Sequence, residues 1–162
     1  MITQWSSRPV DHAVRTLTVT VTPTLDTNAY AANDVMGGKQ TLTFDVKGVR
    51  GARVVSAQLA DEDAQNVATD VYLYDSNPSA STFTDQAAFT EADADIAKRR
   101  VHLEFLTYEA AANNSVCHLD NVGQSVRITD GALYAVLVTR GAPTYAADGL
   151  KLTVVIETDF AG

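Results

Sequence analysis

The chain is poor in several things, and each shortage removes a class of function. It holds one cysteine, Cys117, which excludes an internal disulfide and any cysteine-rich zinc site and suits synthesis in a reducing compartment. Basic residues are scarce, 12 Lys and Arg against 20 Asp and Glu, for a formal net charge of -8. A groove that follows nucleic-acid phosphates rests on clustered Lys and Arg, so no nucleic-acid partner is expected. Apolar runs such as Ala132 to Val138 fall far short of the roughly 20 residues a membrane helix needs, so no membrane partner is expected either. Met1 to Pro9 lacks the apolar core of a secretory leader, which points to synthesis in a cytoplasm. No internal repeat occurs at periods of roughly 20 to 50 residues, against a propeller or solenoid.

What remains is globular. With 162 residues, 46% hydrophobic and 20% charged, the chain is expected to form one domain with a real core. Residues 1–13 carry no period and hold Trp5, Arg8, Pro9 and His12, reading as an N-terminal arm; residues 14–162 read as the domain. Leu17, Val19 and Val21 alternate with threonines, and Leu42, Phe44 and Val46 alternate with Thr41, Thr43 and Asp45. Similar alternation runs through Arg53 to Asp61, Val67 to Tyr74, Arg100 to Tyr108 and Leu150 to Glu157, with weaker signals at Ser115 to Leu119 and Gln124 to Ile128. Glu109 to Asn114 reads as a loop. Ala132 to Thr139 is apolar on both faces, as a central strand covered on each side would be. The sum is about eight or nine short strands in an all-β, jelly-roll-like sandwich. Threonine-rich outer faces suit water or a covering subunit, but ordinary β propensity is the favoured explanation.

One stretch loses the strand rhythm. Val67 to Lys98 passes from a strand through Asp75-Ser76-Asn77-Pro78-Ser79, which must end it, into an acidic, alanine-rich segment. Thr84-Asp85 is positioned as a helix N-cap, and Thr90 with Asp93 as a second start, so two helical turns near 85–97 are expected to cross between sheets. Phe83 and Phe89 are expected to plug the core.

Candidate chemistry is thin. Cys117 and His118 are neighbours that a strand would point to opposite faces, and His102 sits on the polar side of its strand. Met36-Gly37-Gly38-Lys39 lacks the length and the following Ser or Thr of a phosphate loop and reads as a turn at positive φ. Asp61-Glu62-Asp63 and Glu91 to Asp95 could offer oxygens to a cation, but without the spacing of a calcium loop they read as a solvated turn and an acidic helix start. No catalytic set, cofactor or metal is therefore expected, and no enzyme.

Two stretches are similar to a known group. Tyr30-Ala31-Ala32-Asn33-Asp34-Val35-Met36-Gly37-Gly38, and Leu73 to Ser79 with Thr82 to Phe89, resemble small virion-associated proteins of tailed bacteriophages. The likeness spans roughly residues 17 to 160. In that group the residue after Asp85 is usually Asn, whereas here it is Gln86. The resemblance implies a structural protein of the virion, made in the host bacterial cytoplasm. It further implies decoration or cementing of the capsid exterior, with the major capsid protein as partner, and no catalytic residues. Such proteins hold on through symmetric homo-oligomers, arms and loops; a trimer, or a monomer at each local symmetry axis, suits equally. Trp5, Arg8, Tyr30, Asn33 and Asp34 are the expected partner contacts, because Tyr, Trp and Arg dominate interfaces; for Tyr30, packing at the sandwich edge is the alternative. Other readings are a head–tail or tail component, or a glycan- or receptor-binding tail module with Tyr72, Tyr74, Tyr108 and Tyr145 in one patch.

Overall fold

The computed structural model describes residues 13–47 and 50–160. Ten strands and one short helix follow in the order β1 (Ala13–Val21), β2 (Val35–Thr43), β3 (Arg50–Asp61), β4 (Thr69–Tyr74), α1 (Asp93–Ile96), β5 (Arg99–Phe105), β6 (Glu109–Ala110), β7 (Ser115–Leu119), β8 (Gln124–Ile128), β9 (Ala132–Thr139) and β10 (Leu150–Phe160). They form two antiparallel sheets. One has the order β1-β10-β3-β7-β6, with β8 also on β3; the other is β2-β9-β4-β5.

The pairing is nested. β4 lies against β5, β3 against β7 and β8, β2 against β9, and β1 against β10. The first half of the chain thus pairs with the second like one long hairpin whose tip is residues 75–98. Rolling this hairpin up brings β10 onto β3 and β9 onto β4, which closes the jelly-roll order. The twelve residues of β3 serve two partners in line: β8 takes Arg50–Val54 and β7 takes Ala57–Asp61. Between them, Val122 N–H donates to the Val55 carbonyl at 3.0 Å.

Two-residue periodicity sets the faces. Leu150, Leu152, Val154 and Ile156 are fully buried between the sheets, and Lys151, Thr153, Val155 and Glu157 look outward. Strand β9 is covered on both sides as its composition predicts: Leu133, Ala135 and Leu137 face the main core, Val136 and Val138 the opposite side. Thr20 and Thr153 share a 2.8 Å hydrogen bond on the outer surface of β1 and β10. Gly37 and Gly38 sit at φ +71 and +69, in a bulge where the register of β2 on β9 shifts between Met36 and Lys39.

Four expectations need correction. Residues 84–88 form turns, not a helical turn; α1 is the sole helix among the described residues, and its N-cap, Ala92, makes no side-chain cap. The 75–98 segment does not cross between sheets, since β4 and β5 are neighbours in one sheet. Phe83 and Phe89 stay out of the main core and pack on the outer face of that sheet with Val35, Tyr74, Val136 and Val138. The loop expected at 109–114 also contributes the short edge strand β6.

Gly37 offers a direct test of the bulge. A Cβ there would lie 2.4 Å from Pro23 Cβ and would face an unfavourable φ. Gly37→Ala is expected to lower stability by about 2 kcal/mol or more in chemical denaturation.

Candidate interaction surface

The outer face of the four-stranded sheet is laid out in rows by strand register. Val35, Val138, Asp70 and Glu104 form one row, and Lys39, Val136, Tyr72 and His102 the next. The apolar end of these rows is roofed by the 75–98 segment. A ladder of rings runs across the boundary: His102 to Tyr72 at 4.8 Å, Tyr72 to Phe89 at 4.9 Å, Phe89 to Phe83 at 5.7 Å and Phe83 to Tyr74 at 5.9 Å between centroids. Arg99 lies 5.0 Å over the Tyr72 ring, a cation–π placement. The buried Tyr74 hydroxyl donates to Glu91 at 2.7 Å.

The roof is fastened to the loop before β2. Val35 N–H donates to Ala87 O (2.8 Å), Gln86 N–H to Val35 O (2.9 Å) and Phe89 N–H to Asn33 O (2.8 Å). Asp34 and Ala88 form an isolated antiparallel bridge. Asp85 then ties three groups at once, accepting from the Tyr30 hydroxyl (2.8 Å), Asp26 N–H (2.7 Å) and Gly37 N–H (2.6 Å). Its side chain therefore gathers the distant 26–37 loop instead of capping a helix. Gln86 follows at φ +61, left-handed backbone that Asn adopts readily.

At the open end of the rows, Arg140 forks onto Asp70 (Nε to Oδ2 2.7 Å, Nη2 to Oδ1 2.6 Å) and also reaches Glu104. His102 Nε2 meets Asp70 Oδ1 at 2.6 Å. Burial alone would raise the Asp70 pKa, but the hydrogen bonds from Arg140 and His102 outweigh it and hold the carboxyl below the usual range. Donor atoms of Asp70, His102 and Glu104 lie within 4.8 Å of one another, close enough for a cation. The Arg140 guanidinium already engages both carboxylates, so the group reads as an ion-pair network.

The expected contact residues fare differently. Trp5 and Arg8 lie outside the described residues. Tyr30 is 2% exposed and packs in the core, the edge-packing alternative, with burial and its bond to Asp85 pushing its pKa up. Asp34 is buried and accepts Ala31 N–H at 2.7 Å. Asn33 remains exposed, at φ +73. Tyr74 and Tyr145 are buried, so the four tyrosines do not share an exposed patch; Tyr72 and Tyr74 both join the ring ladder, and of these two only Tyr72 is partly exposed.

Of the two acidic clusters, the second does open a helix, with Asp93 and Asp95 in the first turn of α1, but neither cluster is wholly solvated. Asp61 and Asp95 are fully buried. Asp95 accepts from Ser81 N–H and Oγ and from Lys98, each at 2.7 Å. Burial would raise its pKa, but Lys98 and Ser81 bring it below the ordinary value. Cys117 is buried and His118 exposed, on opposite faces of β7. The signal missed in the sequence was the run of rings and charges at every second position of β4 and β5.

Two measurements follow. Asp85→Ala leaves the Tyr30 hydroxyl and Gly37 N–H short of an acceptor, while Asp26 N–H keeps the Tyr30 oxygen at 2.9 Å, and is expected to cost about 2–3 kcal/mol in chemical denaturation. Asp70, with its pKa lowered on folding, stabilises fully above its unfolded value near 3.9 and loses that contribution as pH falls through the lower folded value. Asp70→Asn is therefore expected to be about 1–2 kcal/mol less stable at pH 7, the gain being screened at half-exposed Arg140 and His102. Its stability should then fall less than that of the parent chain between about pH 4 and 2.

Comparison with protein-family models and with curated proteins gives no match to this chain.

Proposed function

We propose that this chain is a structural, non-catalytic protein of a tailed-bacteriophage virion. In this reading it attaches to the outer surface of the major capsid protein shell, as a homo-oligomer, and stabilises it. One observation carries the reading. The two stretches behind the resemblance, 30–38 and 73–89, lie some 50 residues apart in sequence, yet they close on each other through Asp85, the Asp34–Ala88 bridge and the amides of Val35, Gln86 and Phe89. Such a joint makes the two stretches one structural unit, which supports reading them together. The jelly-roll order adds a fold-level analogy, since such sheets recur in viral capsid proteins and in lectins. No helix among the described residues is long and apolar enough to cross a membrane.

Attachment through the arm gives the proposal a mechanism. Trp5 and Arg8 are of the residue types that anchor interfaces, and repeated weak contacts from a symmetric oligomer add up to firm hold.

Purified particles containing the protein are expected to carry it in copy number on the order of hundreds, distributed over the head as shell symmetry requires. Removing residues 1–12, which stops short of β1, is expected to weaken attachment at least tenfold while leaving the thermal transition of the domain in place. Imaging that finds the protein only at the tail would overturn the decoration reading. It would favour instead a receptor-binding role for the half-exposed Tyr72 and its ring ladder.

A further inference from the structure

The end of the sandwich where β3 finishes and β7 begins holds three polar groups without a partner. Tyr108 Oη, Ser115 Oγ and Tyr145 Oη are all buried and make no hydrogen bond among the described residues. Ser115 and Tyr145 are 4% and 2% exposed. Ser115 stands opposite Asp61 in the β3–β7 register, and Asp61 is itself fully buried. The Asp61 carboxylate accepts Asp63 N–H at 3.1 Å on one oxygen and Asn66 N–H at 2.7 Å on the other. Gln65 N–H is a third backbone donor to this carboxylate, which still leaves it lone-pair capacity for a further donor. Thr69 Oγ1, the hydroxyl beside Tyr108, donates to Val67 O at 3.1 Å, so its proton is committed elsewhere.

Three orphaned hydroxyls at one end of a core are costly. A buried hydroxyl left unpaired costs about 1–3 kcal/mol, and native interiors relieve such groups with ordered water that makes about three hydrogen bonds. We infer that this end of the sandwich holds an internal water site, in which bound water accepts from the Tyr108 and Tyr145 hydroxyls, contacts Ser115 and donates to Asp61. A carboxylate with free lone pairs and two phenol donors match the two donors and two acceptors of water. The environment is consistent with it. Burial first, then the neighbouring Asp61 charge, pushes the Tyr145 pKa up, and burial likewise raises that of Tyr108, so both phenols remain protonated donors at neutral pH. The site is one of hydration within the fold and is independent of the proposed role on a capsid.

A crystal structure at a resolution that defines water, with Tyr108→Phe and Tyr145→Phe measured in parallel by chemical denaturation, tests this. Expected is a well-ordered water within hydrogen-bond distance of at least two of the three hydroxyls, and an about fivefold drop in the folding equilibrium constant for each variant. Orphaned hydroxyls make the opposite prediction, because deleting an unpaired hydroxyl is neutral or stabilising. Direct bonding of the hydroxyls to protein groups with no water between them, or unchanged or raised stability in both variants, would overturn the inference.

Discussion

The nested antiparallel pairing of the first half of the chain with the second is the constraint on which the rest of the structure depends. Because β4 meets β5, β3 meets β7 and β8, β2 meets β9, and β1 meets β10, every strand's inner face is decided by its place in one rolled hairpin. The connections 22–34, 62–68 and 140–149 then meet at one end, joined by Leu25 N–H to Ala147 O and Tyr30 N–H to Pro143 O, both 2.9 Å. The hairpin's tip, 75–98, extends neither sheet beyond an isolated bridge and two hydrogen bonds at the start of β2. It lies instead over the apolar rows of the four-stranded sheet, where Phe83 and Phe89 cover Val35, Val136 and Val138.

That arrangement explains the acidity of the chain better than any metal or catalytic use would. Aspartates are the acceptors that close its loops. Asp26 takes Asn28 N–H, Asp34 takes Ala31 N–H, Asp63 takes Ala146 N–H, and Asp95 takes Ser81 N–H, all within 2.6–2.7 Å. Asp85 does the same between the tip and the 26–37 loop. Loop backbone that leaves a sheet loses its ladder partners, and a carboxylate supplies strong acceptors in their place. Charge excess in this protein is therefore partly architecture.

Much of the fold was legible because period-two alternation is local. Strands β1, β9 and β10 follow from it directly, including the two-sided burial of β9. What escaped was set by distant partners. Thr84-Asp85 has the chemistry of an N-cap, and a carboxylate that accepts backbone N–H groups looks the same in sequence whether those groups are two residues on or some fifty residues away. Phe83 and Phe89 are apolar enough for any core, and nothing local says that a second, outer cluster exists to receive them. The adjacency of β4 and β5 is likewise a long-range fact that no local pattern around Val67 to Lys98 could reveal. At the candidate surface, Tyr30 and Asp34 are buried where they close their own loop, so of the three residues singled out there Asn33 is the exposed one.

The account treats the tip and the loop before β2 as one cooperative unit with the sheet beneath them, and it is this unit that underlies the proposed membership in a virion. Native-state hydrogen exchange of the Val35, Gln86 and Phe89 amides tests that most directly, since these three bonds exist only when the tip is docked. The account predicts that they exchange with the same opening free energy as Val136 in the centre of β9, through global unfolding. Exchange of the three amides at much lower free energy, while Val136 stays protected, would show a tip that opens independently and would contradict it.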